Sequence, residues 1–188
     1  MDLKEALYSR RATRNFTPDP IDEKTLRLLV DAAIQAPSAV NAQPWAFCVV
    51  RDKTLLAKIS QQAKAYMVQN TPVGLVSHHF DQILHDPGFD IFYHAPTLIV
   101  ICTTSAIPWA VEDCALAAEN LMLAAHAAGL GACWIGFAQG WLATADGKRA
   151  LGLADSYLPV APIIVGHPKA PAPPPVPRKE PEIHWIDS

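Results

Sequence analysis

Hydrophobic positions along the chain alternate between runs of helical period and short continuous apolar stretches. Leu3, Ala6 and Leu7 share one face of a short helix that runs into Arg10-Arg11-Ala12-Thr13-Arg14, after which Pro18 and Pro20 mark a turn. Asp22 is predicted to cap a second helix with Leu26, Leu29, Val30, Ala33 and Ile34 on its buried face, and Pro37 is expected to stop it. A polar, proline-bounded loop from Pro37 to Pro44 leads into a strand from Trp45 to Val50. Asp52 is placed to cap a third helix carrying Leu55, Leu56 and Ile59. Between Tyr66 and Tyr93 the period dissolves, which predicts an irregular or partly helical excursion.

Pro96 opens the apolar run Thr97-Leu98-Ile99-Val100-Ile101-Cys102, which predicts a buried strand. A long alanine-rich helix follows and ends at Gly129. Ala132 to Ile135 is expected as a strand, another helix ends near Leu151, and Leu158 to Val165 gives the last strand. From Pro168 to Ser188 the chain holds seven of its seventeen prolines, so this part is extended rather than packed as regular structure. Strands alternate with helices without a clean βαβ repeat. The expectation is an α+β sandwich, one mixed sheet flanked by helices, over residues 1–167, with an extended C-terminal arm over 168–188. There is no internal repeat and no second domain.

At 188 residues and 51% apolar composition, the chain can build a core without disulfide or metal staples. The net charge of −3, with no basic stripe or polybasic run, points away from nucleic acid and anionic membrane surfaces. The N-terminus is charged and amphipathic, unlike a signal peptide. The longest apolar stretch, Val111 to Leu130, is broken by Glu112, Asp113, Glu119, Asn120 and His126, which suits a buried helix better than a membrane span. Cys48, Cys102, Cys114 and Cys133 lack CxxC spacing and are expected to be reduced core thiols, which places the protein in the cytoplasm.

Four segments carry candidate chemistry. Arg10, Arg11 and Arg14 crowd three guanidiniums into five residues, and they repel one another unless an anion gathers them; taken alone, the segment reads first as a solvated basic turn. In the loop Pro37-Ser38-Ala39-Val40-Asn41-Ala42-Gln43-Pro44-Trp45, short directional donors and acceptors suit a polar heterocycle or a ribityl chain; a self-satisfied connecting loop is the alternative. Gly129-Leu130-Gly131-Ala132-Cys133-Trp134 imitates a dinucleotide fingerprint. It fails, because Trp134 takes the third glycine position and the glycines follow a helix and precede a strand. Free backbone N–H groups at Ile135 and Gly136 are expected there instead. Arg178 lies in the arm, whose terminal Ile183, Trp185 and Ile186 suggest that it docks and carries Arg178 toward Arg10 and Arg14. His78, His79 and His85 near Asp81 are expected as a surface cluster rather than a metal site, and no GxSxG elbow supports a hydrolase.

Taken in order, these motifs resemble the nitroreductase family of FMN enzymes. The matching residues are Ser9 to Phe16, Ala36 to Trp45, Asn120-Leu121, Gly129 to Gly136 and Pro177-Arg178, with residues 62–94 lacking a counterpart. The resemblance implies a nitroreductase-like three-layer sandwich and a homodimer with FMN at the subunit interface. It implies that Arg10, Arg11, Arg14 and Arg178 hold the phosphate. Ala12 stands where a serine is frequent, which removes one hydroxyl contact. Pro37, Ser38, Ala39, Asn41 and Gln43 would meet the partner's flavin, and Trp134, Ile135 and Gly136 its reactive N5 and O4 edge. The implied reaction is ping-pong hydride transfer from NADH or NADPH through N5 to nitro-aromatic, quinone or related acceptors, with no side-chain acid or base required. Flavin reduction, dehalogenation and dehydrogenation are the alternatives on the same fold, and a non-catalytic flavin-binding dimer is the alternative of another class. Phe80, Phe89, Phe92 and Tyr93 of the unmatched excursion are expected to lid the pocket.

Overall fold

The computed structural model describes residues 1–70, 78–174 and 176–187, with the side chains of residues 78–81 outside that set. Four strands form one sheet: β1 (Trp45–Val50), β2 (Thr97–Thr103), β3 (Gly131–Trp134) and β4 (Leu158–Gly166), in the order β1-β2-β4-β3. All three pairings are antiparallel. The sheet is therefore antiparallel and not mixed as expected; among the described residues the one parallel pairing is the isolated bridge from Ala12 to Ala132.

The continuous apolar run in β2 is explained by cover on both faces. Ile99 and Ile101, with Ala161, Ile163 and Val165 of β4, face one core, which α2 (Glu23–Ala33) and α5 (Ala110–Ala127) close. Leu98, Val100 and Cys102, with Ile164, face the other, under α3 (Lys53–Asn70), α6 (Gly136–Leu142) and α7 (Ala145–Ala150). A strand side chain alternates between faces, so burial of both leaves no polar positions in the run. Each such Leu or Ile contributes about 1.5–3 kcal/mol on burial. The α1 helix (Leu3–Ser9) rests on α5, and α4 (His78–His85) on α3.

Local chemistry places the ends. The Asp22 carboxylate accepts from the Thr25 amide at 2.9 Å and the Thr25 hydroxyl at 2.7 Å, which holds its pKa below the ordinary value. Asp52 accepts the Leu55 amide at 2.6 Å as α3 begins. Gly129, at φ +74, takes the left-handed conformation that closes α5.

Several expectations are corrected. α2 ends at Ala33, before Pro37, in tight turns from the Gln35 amide to Ala32 and the Ala36 amide to Ala33, which leaves Ile34 exposed. The excursion is more helical than its sequence implies: α3 continues to Asn70 and α4 follows, with residues 71–77 outside the described set. The single helix ending near Leu151 is two, because the Thr144 hydroxyl accepts the Gly147 amide at 3.1 Å and starts α7 anew. Among its described residues the arm has no helix or strand, and its root is tied by the Lys169 amide to the Asn15 carbonyl at 3.1 Å and the Thr17 amide to the His167 carbonyl at 2.9 Å. Among the described residues no helix is long and apolar enough to cross a membrane.

Candidate functional site

The arginine segment is laid along β3. The Thr13 amide donates to the Ala132 carbonyl at 3.0 Å, and Ala12 bridges the same residue. A Cβ at Gly131 would stand 2.6 Å from the Thr13 side chain, so the glycine is what lets this segment approach. Arg10, with a side chain 24% exposed, lies 3.6 Å from Glu119 of α5. Half-buried Arg11 donates from Nη1 to the Arg10 carbonyl, and its Nε is buried with no acceptor. Exposed Arg14 places its guanidinium 6.0 Å from the centre of the Tyr93 ring. Among the described residues no carboxylate pairs with Arg11 or Arg14.

The three cations share one neighbourhood. Burial raises the pKa of the Cys133 thiol, and Arg14 and then Arg10 pull it back down. Burial likewise lowers the pKa of His126, with Arg10 and Arg11 acting in the same direction. Arg10 therefore acts on both groups. The His126 ring nitrogen Nε2 lies 2.7 Å from the hydroxyl of Ser9, the residue before the cluster.

Beside the cluster opens a cleft of about 470 Å³, lined by Arg14, Tyr93, Cys133, Trp134, Ile135 and Gly136 among others. Its size lies within the roughly 300–1,000 Å³ common for small-ligand sites. The expectation of a free Ile135 amide is overturned. Pro162 sits inside β4 without an N–H of its own, and its carbonyl takes the Ile135 amide at 2.8 Å. Gly136 opens α6 at the mouth of the cleft, so its amide is the remaining backbone donor of the expected pair.

The loop before β1 is strained and internally clipped. Val40, Asn41 and Gln43 have φ of 49°, 56° and 48°. The Gln43 amide donates to the Ser38 hydroxyl at 3.0 Å, the Gln43 side-chain amide donates to Asn41 Oδ1 at 3.0 Å, and the Ala39 amide donates to the Asp113 carboxylate of α5 at 3.0 Å. Pro37, Asn41 and Gln43 are exposed, while Ser38 and Ala39 are half-buried.

Not every expected residue joins the cleft. Arg178 is exposed in the arm, and no recorded contact within the chain brings it to the other arginines. Asn120 donates to the Ala32 carbonyl at 3.3 Å and ties α5 to α2. Of the expected lid, Phe92 is 1% exposed and belongs to the core, Phe89 packs half-buried against it, Tyr93 alone lines the cleft, and the Phe80 side chain lies outside the described set. So do the side chains of His78, His79 and Asp81. Sequence reasoning missed the Thr13–Gly131 contact and Asp113. An acid in an otherwise apolar helix face was the available signal for the latter.

Chemically, the arrangement offers surplus guanidinium donors for an oxyanion at the head of a cleft with aromatic and backbone walls. A family model described as the nitroreductase family matches residues 7–167. The chain belongs to the nitroreductase family. It is 30% identical over 169 residues to a Methanothermobacter thermautotrophicus protein described as an NADH dehydrogenase/NAD(P)H nitroreductase, covering 89% of this chain and 78% of that one. A solved nitroreductase from Desulfitobacterium hafniense with bound FMN superposes with a TM-score of 0.81 at 25% identity, over 98% of this chain and 97% of that one. An iodotyrosine deiodinase of Thermotoga neapolitana is 26% identical over 130 residues, 68% of this chain and 69% of that one. Like other members of the nitroreductase family, this one is an oxidoreductase.

Proposed function

We propose that this nitroreductase binds FMN and uses NADH or NADPH to reduce nitro-aromatic, quinone or related small acceptors by ping-pong turnover, as a cytoplasmic homodimer. One observation carries the reading: the guanidiniums of Arg10, Arg11 and Arg14 outnumber the carboxylates beside them, the Arg11 Nε is buried without an acceptor among the described residues, and Arg14 lines a ligand-sized cleft. An unpartnered buried donor is costly, and a phosphoryl group supplies the missing oxygens. The residues therefore fit the phosphate of FMN.

When bound, FMN supplies hydride acceptance and donation at its N5. Arg10, Arg11 and Arg14 would hold the phosphate, Trp134 and Ile135 would wall the ring site, and the Gly136 amide would be available to it as a donor. Ser38, Asn41 and Gln43 are presented outward, toward a partner's flavin. No side chain is assigned a proton-transfer role.

The dimer reading is supported by apolar surface on two adjoining helices. Leu3, Leu7 and Tyr8 of α1 and Val111 and Leu116 of α5 are exposed, as is Trp109 at the start of α5. Such a band marks an interaction site on a protein whose core is otherwise closed. The arm adds Trp185, 80% exposed, and Ile186, 95% exposed. A groove of about 990 Å³ between α2 and the sheet-edge strand β1, with Leu28, Ile34, Phe47 and Val49 in its walls, offers a seat of matching character on the partner. Docking there would carry Arg178 toward the partner's phosphate. Four unpaired thiols suit a reducing cytoplasm.

The test is reduction without oxygen. The purified protein should be yellow and should bleach on addition of NADPH or NADH; retention of the full flavin band with both donors would reject a nicotinamide reductant. Truncation after residue 169 should remove both flavin retention and the dimer, and a fully loaded truncated dimer would leave the arm without that role. Reductive dehalogenation is the second reading, favoured by the likeness to the deiodinase over two thirds of the chain.

A further inference from the structure

We infer that Asp113 is a positioning residue, holding the Ser38–Gln43 loop in the shape that presents its polar side chains; this rests on the flavin reading only for what those side chains meet. Asp113 lies in the first turn of α5, where an acid favours the helix dipole. Exposed Glu112 beside it already serves that purpose from solvent. Asp113 does something else. It is 3% exposed, one oxygen accepts the Ala39 amide from 74 positions away at 3.0 Å, and the other is buried without a partner among the described residues. A carboxylate buried with one oxygen left without a partner is a poor stability device. Its use is the bond to Ala39.

That bond sits where the loop needs restraint. Val40, Asn41 and Gln43, immediately downstream, all occupy the left-handed region, which side-chain-bearing residues hold only when their surroundings over-determine it. Beyond the strained stretch, the Pro44 carbonyl accepts from the Thr104 amide at 2.7 Å and the Thr104 hydroxyl at 3.1 Å. The Ser38 hydroxyl clip to the Gln43 amide is internal to the loop. Asp113 is therefore the side chain that ties the loop's leading end to the body of the fold. Without it, the leading end is held only through core-buried Ala36, two residues before Ser38, and Asn41 and Gln43 lose their fixed direction.

The experiment compares the parent with Asp113→Ala, Asp113→Asn and Thr144→Ala, the last removing the α7 cap away from the loop as a control for general destabilisation. Amide hydrogen exchange of residues 38–43 is followed in the full-length FMN-free protein, and FMN affinity and the visible circular dichroism of bound flavin are measured in parallel. Asp113→Ala should speed exchange at Ala39 at least tenfold, weaken FMN at least tenfold and alter the flavin dichroism. Asp113→Asn, which keeps a neutral acceptor, should recover most of each, and Thr144→Ala should move none of them. Unchanged exchange in Asp113→Ala, or equal changes in Asp113→Ala and Thr144→Ala, would overturn the inference. Should Asp113→Ala fail to fold, Asp113→Leu, which keeps the volume and removes the acceptor, takes its place and is read by the same outcomes. A parent that takes up no FMN would sink the flavin reading, and a loosened loop with unchanged FMN affinity would remove the loop from the flavin site; in both cases the exchange result still stands for Asp113.

Discussion

The middle of the sheet and the corner holding the arginines are built by opposite rules. In β2 every residue from Thr97 to Thr103 is buried, and the strand pairs on both sides with β1 and β4. At the corner Tyr93 and His94 take positive φ, as do Val40, Asn41 and Gln43 in the loop before β1 at the other edge of the sheet. Of the buried side-chain atoms without partners among the described residues, Arg11 Nε is at the corner and Asp113 Oδ2 lies behind that loop. The sheet satisfies itself. The corner stays unsatisfied until something else binds, and local strain and orphaned polar groups concentrate where a ligand supplies what the fold withholds.

The sharpest break in this comparison is a cavity in the sheet. Ile163→Ala removes a fully buried side chain from the centre of β4 and should cost about 2–5 kcal/mol in urea unfolding. FMN affinity per folded molecule should not change, and a parallel fall in affinity would mean the two regions are not separable. Arg14→Ala is the reverse case. The exposed side chain contributes little to folding, so unfolding of the FMN-free protein should hardly move, while FMN binding should weaken by about 1–3 kcal/mol. Equal FMN affinity in titrations of parent and variant would remove Arg14 from the site.

A smaller effect tests the strain itself. Val40 is β-branched, 89% exposed and at φ 49°, a conformation asparagine tolerates better. Val40→Asn should therefore stabilise the FMN-free protein by about 1 kcal/mol in thermal unfolding. A loss instead would show that a partner covers this side chain. The smallest effect vanishes at neutral pH. Burial pushes the Cys102 and Cys114 thiols up from 9.0 to about 12. Their ionised forms are disfavoured only in the folded state, so the associated stability is complete below pH 9.0 and declines as pH rises toward 12. Alkaline unfolding over that window should be accompanied by newly reactive thiols, whereas native protein at pH 8 should resist alkylation at both.

Much of this molecule was legible before folding. The strand from Trp45 to Val50 and the caps at Asp22 and Asp52 depend on neighbours a few positions away, and the structure shows them in place. The stretch beyond Tyr66 was harder, because α3 buries only a narrow stripe, Leu56, Ile59, Ser60 and Ala63, and its last turns carry no strong period. Phe92 was misjudged for a related reason: an aromatic residue in an aperiodic segment has the same sequence whether it roofs a pocket or fills a core.

The order of residues by itself determined most of the helices and strands and that Arg10, Arg11 and Arg14 lie together, since each follows from spacing or charge within one segment. Only the tertiary structure decided that Thr13 lies against Gly131, that Pro162 consumes the Ile135 amide, and that Asp113 reaches Ala39. Those pairings join positions far apart in sequence. A hydrogen bond or a close approach between them exists only once the sheet and α5 have brought the two backbones within a few ångströms.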